Sequence, residues 1–143
     1  MSEIYLKKLE PITLMYIKAE TFPDGITTAW DKLDKTLKSI EGRIFYGAAK
    51  MIGGKMEYRA CVLPLDEHEH KQLGMETFSI PAGNYAAKNL TDWHSHIPEI
   101  REIFTELNSK FAANTELYNL EYYINNKELV IMLPIQDKEI EKF

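Results

Sequence analysis

Phe78-Ser79-Ile80-Pro81-Ala82-Gly83-Asn84-Tyr85 opens the stretch whose reading decides the fold. A charged run follows as far as Trp93, and then a segment with Ile100, Ile103, Phe104, Leu107 and Phe111 along one side. Two alternating runs joined at Asn125-Asn126 carry the chain to Pro134. Apolar residues three and four apart predict a helix, and strict alternation predicts strands. Asn tolerates the left-handed backbone that a turn demands. The predicted order is strand, helix, strand, strand.

The earlier half repeats that order. Ile12 to Lys18 is apolar and β-branched, and Pro11 stands at its beginning, where no ladder donor is lost. Thr21-Phe22-Pro23-Asp24-Gly25 breaks the run, and Trp30, Leu33, Leu37 and Ile40 then mark a helix with one apolar stripe, ended by Gly42. Arg43 to Met51 and Lys55 to Pro64 flank Gly53-Gly54, a two-residue hairpin signal. Sliding the chain along itself brings Lys18 onto Lys88, Trp30 onto Ile100, Leu33 onto Ile103, Leu37 onto Leu107, and Leu63-Pro64-Leu65 onto Leu133-Pro134-Ile135. A tandem duplication accounts for this, with one domain over 1–143, pseudo-repeats at about 4–65 and 75–143, and the polar stretch Leu65 to Gly74 as the joint. The expected fold class is α+β, an antiparallel sheet of duplicated strand-helix-strand-strand units. Two helices cover one face, and a central cleft opens on the other.

Composition narrows the function. The chain has 143 residues, 45% of them hydrophobic, and a net charge of −5 without a basic cluster. That length supports one domain with a core, and the charge argues against direct nucleic-acid or membrane-surface binding. Met1-Ser2-Glu3-Ile4-Tyr5-Leu6-Lys7-Lys8 holds no apolar run of signal-peptide or membrane-span length, so a cytoplasmic location is expected. The single cysteine, Cys61, lies in an alternating apolar run and is expected to pack as a small hydrophobe. All four histidines fall in two pairs, His68-Glu69-His70 and His94-Ser95-His96, with no third ligand at motif spacing. Neither a metal site nor a cofactor is expected.

Strand alternation then assigns side chains to faces. With Asn125 and Asn126 as the two turn residues, Tyr123 pairs with Glu128, Tyr122 with Leu129 and Glu121 with Val130. Leu120, Tyr122, Ile124, Leu129, Ile131 and Leu133 would lie under the helix, while Asn119, Glu121, Tyr123, Glu128, Val130 and Met132 would line the cleft. Around Gly53-Gly54 the same procedure pairs Ala49 with Tyr58, Gly47 with Ala60 and Phe45 with Val62 on the cleft side. Gly47, Ala49 and Ala60 leave volume there, and Phe45 and Tyr58 supply aromatic walls. The candidate ligand-binding residues are Glu121, Tyr123, Tyr58, Phe45, Trp93, Tyr16, Met132 and Asn119. A carboxylate among aromatic faces attracts an organic cation by charge and cation–π terms, and the same burial equips it as a general acid or base.

At Ile80-Pro81-Ala82-Gly83-Asn84-Tyr85-Ala86, Leu120-Glu121-Tyr122-Tyr123 and Leu133-Pro134-Ile135 the sequence resembles the GyrI-like small-molecule-binding family. That family includes the effector-binding domains of AraC-type and MerR-type transcription regulators. The resemblance spans nearly the whole chain and implies a duplicated fold with a central aromatic and glutamate pocket for lipophilic or cationic molecules. At two places the chain departs from the family pattern. A second acidic residue is replaced by Val130, and Thr91-Asp92 stands where a glycine-proline turn usually precedes the aromatic at Trp93. Three functions follow as expectations. The first is a stand-alone binding protein for a small hydrophobic or cationic ligand. No helix-turn-helix segment precedes Pro11, so any DNA-binding domain would belong to another chain. The second is a hydrolase of electrophilic small molecules, with Glu121 as base and Tyr123 as donor. The third is an inhibitor that engages a protein partner through the acidic run from Asp66 to His70.

Overall fold

The computed structural model describes residues 3–143. The reading of the amino terminus begins at Met1 and Ser2, which lie outside the described residues. In chain order the elements are β1 (Tyr5–Leu9), β2 (Ile12–Lys18), α1 (Ile26–Thr36), β3 (Phe45–Ile52), β4 (Lys55–Val62) and the short α2 (Glu69–Leu73). Then come β5 (Glu76–Ile80), β6 (Gly83–Thr91), α3 (Ile97–Lys110), β7 (Asn119–Tyr123) and β8 (Glu128–Pro134). All eight strands form one antiparallel sheet in the order β1-β6-β8-β7-β3-β4-β2-β5. No helix among the described residues is long and apolar enough to cross a membrane.

The duplication is present, but each unit has one more strand than the periodicity predicts. The repeat is β-β-α-β-β, and the first strand of each half pairs with the other half: β1 lies along β6, and β5 lies along β2. Those strands are short, and β1 carries two lysines, so their pattern is weak in isolation. An approximate twofold axis passes between β3 and β7, where Gly47 faces Glu121 at the midpoint of the ladder.

Each helix is as long as its apolar stripe supports. In α1, Ala29 and Leu33 are buried and the chain turns extended at Leu37, so Ile40 lies beyond the helix and is exposed. In α3, Pro98 sits in the first turn, where it forfeits no hydrogen bond, and Ile103 and Leu107 face the sheet. α1 packs mainly on β2 and β4, and α3 mainly on β6 and β8. The two central strands, β3 and β7, are left between the helices.

The hairpins decide which side chains face which way. Gly53 and Gly54 both have positive φ, 58° and 81°, and Ile52 pairs directly with Lys55. The predicted pairs Ala49–Tyr58, Gly47–Ala60 and Phe45–Val62 are all present. The last hairpin differs. Asn125 Oδ1 accepts from the backbone N–H groups of Lys127 and Glu128, both at 2.8 Å, so its side chain organises a loop one residue longer than predicted. Tyr123 pairs with Leu129, Tyr122 with Val130, Glu121 with Ile131 and Leu120 with Met132. A slip of one residue turns every β8 side chain relative to β7. Leu129, Ile131 and Leu133 do lie under α3, but Glu121 and Tyr123 share that face. Leu120, Tyr122, Val130 and Met132 point the other way.

The opposite face is therefore a dry core. The sheet curls into a half-barrel, and Leu14 and Ile80 from one flank join Tyr85 and Ala87 from the other in one cluster with Tyr46, Cys61, Leu120 and Met132. Curling removes from water a face that no helix covers. Cys61 is fully buried there, and burial pushes its thiol well above the ordinary range.

The Leu65–Gly74 joint is also more tied down than its polarity suggests. Arg43 grips Glu69 with two hydrogen bonds, of 3.1 and 2.7 Å, and donates a third to the Leu63 carbonyl. Asp66 Oδ1 accepts from the N–H groups of His68 and Glu69. Two of the loop's acidic residues are thus engaged within the fold.

Candidate functional site

The site lies in the groove between α1 and α3, over β3 and β7, on the helix side of the sheet. The central feature is Glu121. Its Oε1 accepts from the Tyr58 hydroxyl at 2.8 Å and the Tyr123 hydroxyl at 2.9 Å. Oε2 has no hydrogen-bond partner among the described residues and is not sealed from solvent. Trp30 Nε1 donates in turn to the Tyr58 oxygen at 3.1 Å. The arrangement is a relay, indole to phenol to carboxylate, with the second phenol bracing the same oxygen.

Local sequence explains the placement. Glu121 and Tyr123 alternate with Leu120 and Tyr122, so the polar pair shares one face and the apolar pair the other. Tyr58 arrives from β4, two strands away, and its ring reaches across Gly47 to the carboxylate. A methyl group at Gly47 would overlap both Glu121 Oε1 and the Tyr58 hydroxyl. Glycine at this position is a requirement of space, because its φ is not positive.

Aromatic rings line the rest of the groove. Trp30 stands edge-on to Phe45 at 6.0 Å and to Tyr123 at 5.5 Å, and Trp93 stands edge-on to Tyr123 at 5.0 Å. Trp93 is carried on a single 3₁₀ turn entered through Asp92 with φ of 55°, and its Nε1 donates to the Asn125 carbonyl. Phe22 lies 6.4 Å from Tyr58 and is 46% exposed.

Electrostatics follow from this enclosure. Burial raises the pKa of Glu121 above the ordinary carboxylate value, partly offset by the two phenol hydrogen bonds, which favour the ionised form. Burial, then the Glu121 charge, pushes Tyr58 and Tyr123 well above the ordinary phenol range. Both phenols therefore remain protonated donors. The chemistry available is a desolvated carboxylate with one free oxygen, set among π faces.

Of the eight candidates, Glu121, Tyr123, Tyr58 and Phe45 converge here, and Trp93 closes one end. Asn119 lies two residues along the same strand face, paired with Ala49. Tyr16 and Met132 do not join them. Tyr16 is on the opposite face, 5.1 Å from Phe78 with Arg59 4.1 Å over its ring, and Met132 is fully buried in the half-barrel core. The cleft was expected opposite the helices. Tyr58, Ala60 and Val62, whose predicted pairing is present, pack under α1 instead, so the groove opens on the helix side, and the Asn125 loop decides only which β8 residues share it. Val130, expected across from Glu121, points away, and Ile131 occupies that place. Trp30 was read as part of the helix stripe. The signal for it is its indole N–H, which needs a partner when partly buried, unlike the leucines of that stripe. No cluster of three metal-ligating side chains occurs among the described residues.

No family model and no curated protein matches this sequence. Solved structures do. An integron cassette protein from the mobile metagenome of Vibrio cholerae superposes with a TM-score of 0.69 at 14% identity, over 93% of this chain and 95% of its own. SAV2435, solved bound to tetraphenylphosphonium, superposes at 0.68 with 14% identity, over 96% of both chains. The fold is that of GyrI-like effector-binding domains. The C-terminal domain of EcmrR shares the GyrI-like fold, with a TM-score of 0.63 at 12% identity over 95% of this chain and 98% of that domain. At these identities the likeness carries the architecture and does not extend to the residues of the groove.

Proposed function

We propose that this is a cytoplasmic GyrI-like protein that binds, without transforming it, a small lipophilic organic cation in the groove between α1 and α3. It would serve as a sensor, a sequestering protein or an effector-binding partner. The observation that carries this reading is Glu121 itself. One of its oxygens is held by two phenols, and the other is free in a groove lined by aromatic rings. An organic cation would pair with Oε2 and lie against Trp30, Phe45 and Tyr123, with up to ~2 kcal/mol from each desolvated aromatic contact. The tetraphenylphosphonium carried by SAV2435 is of the same chemical class. Pairing with a cation favours ionised Glu121, so affinity should weaken as pH falls through its raised pKa.

Calorimetry with tetraphenylphosphonium and with neutral triphenylphosphine oxide tests this. Wild type should bind the cation at least about tenfold more tightly than the neutral compound, a difference of about 1.4 kcal/mol. Glu121→Gln should abolish that preference. Equal affinity of both proteins for the cation, or no binding by wild type, sinks the reading.

The raised pKa of the same carboxylate also favours a general-base role toward an electrophilic substrate. Turnover of a panel of activated esters and epoxides that disappears in Glu121→Gln would replace binding with hydrolysis.

A further inference from the structure

We propose that the groove accommodates one positive charge only, and therefore selects lipophilic monocations against dications of the same shape. This rests on Glu121 being the ligand's counter-ion.

An approximate twofold axis relates the two halves of the sheet. Gly47 and Glu121 face each other at the midpoint of the β3–β7 ladder, so the axis exchanges their positions. A symmetric site would carry two carboxylates. Here the second position is a glycine, and its missing side chain is the space that the Glu121 carboxylate and the Tyr58 hydroxyl occupy. The same asymmetry that makes room for one acid excludes another.

The remaining neighbours of Glu121 are uncharged. Ile131 lies across from it on β8, and Asn119 and Tyr123 flank it on the same face of β7. Burial raises the Glu121 pKa, and the two phenol hydrogen bonds offset it. The acids of the flanking helices lie at the solvent-exposed rim: Asp31, Asp34 and Glu102 are exposed, Asp34 one turn beyond Trp30 on α1, Glu99 is partly exposed, and Glu106 holds Lys88 and Lys110. A second positive charge in the groove would lose its water and meet aromatic faces, aliphatic side chains and the neutral Asn119 amide, with no second carboxylate on the strand face. Such an unpaired buried charge is far more costly than the cation–π contacts that would accompany it.

Asn119 is the position from which this selectivity could be reversed. It is partly exposed, its side chain makes no hydrogen bond among the described residues, and it lies on the face of Glu121 two residues away. Asn119→Asp places a second carboxylate beside the first with almost no change in shape.

The test uses two flat two-ring probes of nearly equal size, the monocation 1-methyl-4-phenylpyridinium and the dication 1,1′-dimethyl-4,4′-bipyridinium. Calorimetry on the wild-type protein should give at least about tenfold tighter binding of the monocation. In Asn119→Asp, dication affinity should rise about tenfold relative to monocation affinity, reversing or erasing the wild-type preference. Equal binding of both probes by wild type, each still dependent on Glu121, overturns the selectivity and leaves the binding reading intact. Monocation binding that is absent, or unchanged in Glu121→Gln, removes the binding reading and this inference together. A dication-to-monocation affinity ratio left unchanged in a folded Asn119→Asp protein overturns the assignment of Asn119.

Discussion

The two faces of β3 and β7 use the same eight or so residues of backbone for opposite purposes. On the half-barrel side Tyr46 stacks on Tyr122 at 4.9 Å, with Ala48 and Leu120 fully buried beside them. On the helix side the same strands present Phe45, Glu121 and Tyr123, partly open to solvent, around the buried Gly47. Neither aromatic content nor strand register distinguishes the faces. What does is how each is covered: the curl of the sheet buries the centre of one, while the other lies between two helices that pack on its neighbours. A groove arises here where the helices do not sit.

The largest expected effect breaks the comparison from the sealed side. Leu120→Ala should destabilise the protein by about 2–5 kcal/mol, since a fully buried side chain leaves a cavity that a curled sheet cannot close. In denaturant unfolding the midpoint should fall. At concentrations where the variant remains folded, tetraphenylphosphonium affinity should be within about twofold of wild type, and a larger loss would mean the faces are not independent.

Next comes Gly47→Ala on the open side. The added methyl must displace the Glu121 carboxylate and the Tyr58 hydroxyl, costing roughly 1–3 kcal/mol as overpacking does elsewhere. Here cation affinity should fall with stability. A variant as stable as wild type that binds normally would show that the groove is roomier than its geometry implies.

Tyr58→Phe removes one of the two donors to Glu121 and the acceptor of Trp30 Nε1, at about 1 kcal/mol. Its sharper signature is in titration. Because burial raises the Glu121 pKa, the folded protein holds that proton more tightly than the unfolded chain does. Glu121 therefore imposes no penalty below the ordinary carboxylate range, and stability declines as pH rises from there through the raised value. Tyr58→Phe should move that decline to higher pH, followed by carbon-13 NMR of the carboxyl group. Glu121→Gln should abolish it. A downward shift in Tyr58→Phe would show that the phenol does not favour the ionised form.

The smallest effect returns to the sealed face. The Tyr85 hydroxyl is buried there without a hydrogen-bond partner among the described residues, so Tyr85→Phe should be neutral or more stable by up to about 1 kcal/mol. A loss of more than that would reveal a partner for the hydroxyl in solution.

Much of this molecule was readable from residue order. The helix stripes, the Gly53-Gly54 hairpin and its pairing register, the duplication and the shared face of Glu121 and Tyr123 all rest on local periodicity and turn chemistry. The strands β1 and β5 were not readable, because each is short and gains its place only by pairing with the other half of the chain. Tyr16 was misplaced because β2 takes its face only from pairing with β4, and Met132 because a face can be named only after a register is known. In the last hairpin one Asn side chain, bonding to two backbone N–H groups, set that register.

The sequence by itself determined which residues alternate, where the chain turns, and that one carboxylate travels with aromatic neighbours, since these depend on bonds and contacts a few residues long. Only the tertiary structure decided that Tyr58 and Trp30 would meet that carboxylate, that Gly47 would make room for it, and that the groove would open on the helix side. Those outcomes depend on the curl of an eight-stranded sheet and on the packing of distant strands, which hydrophobic burial selects for the chain as a whole and no single segment encodes.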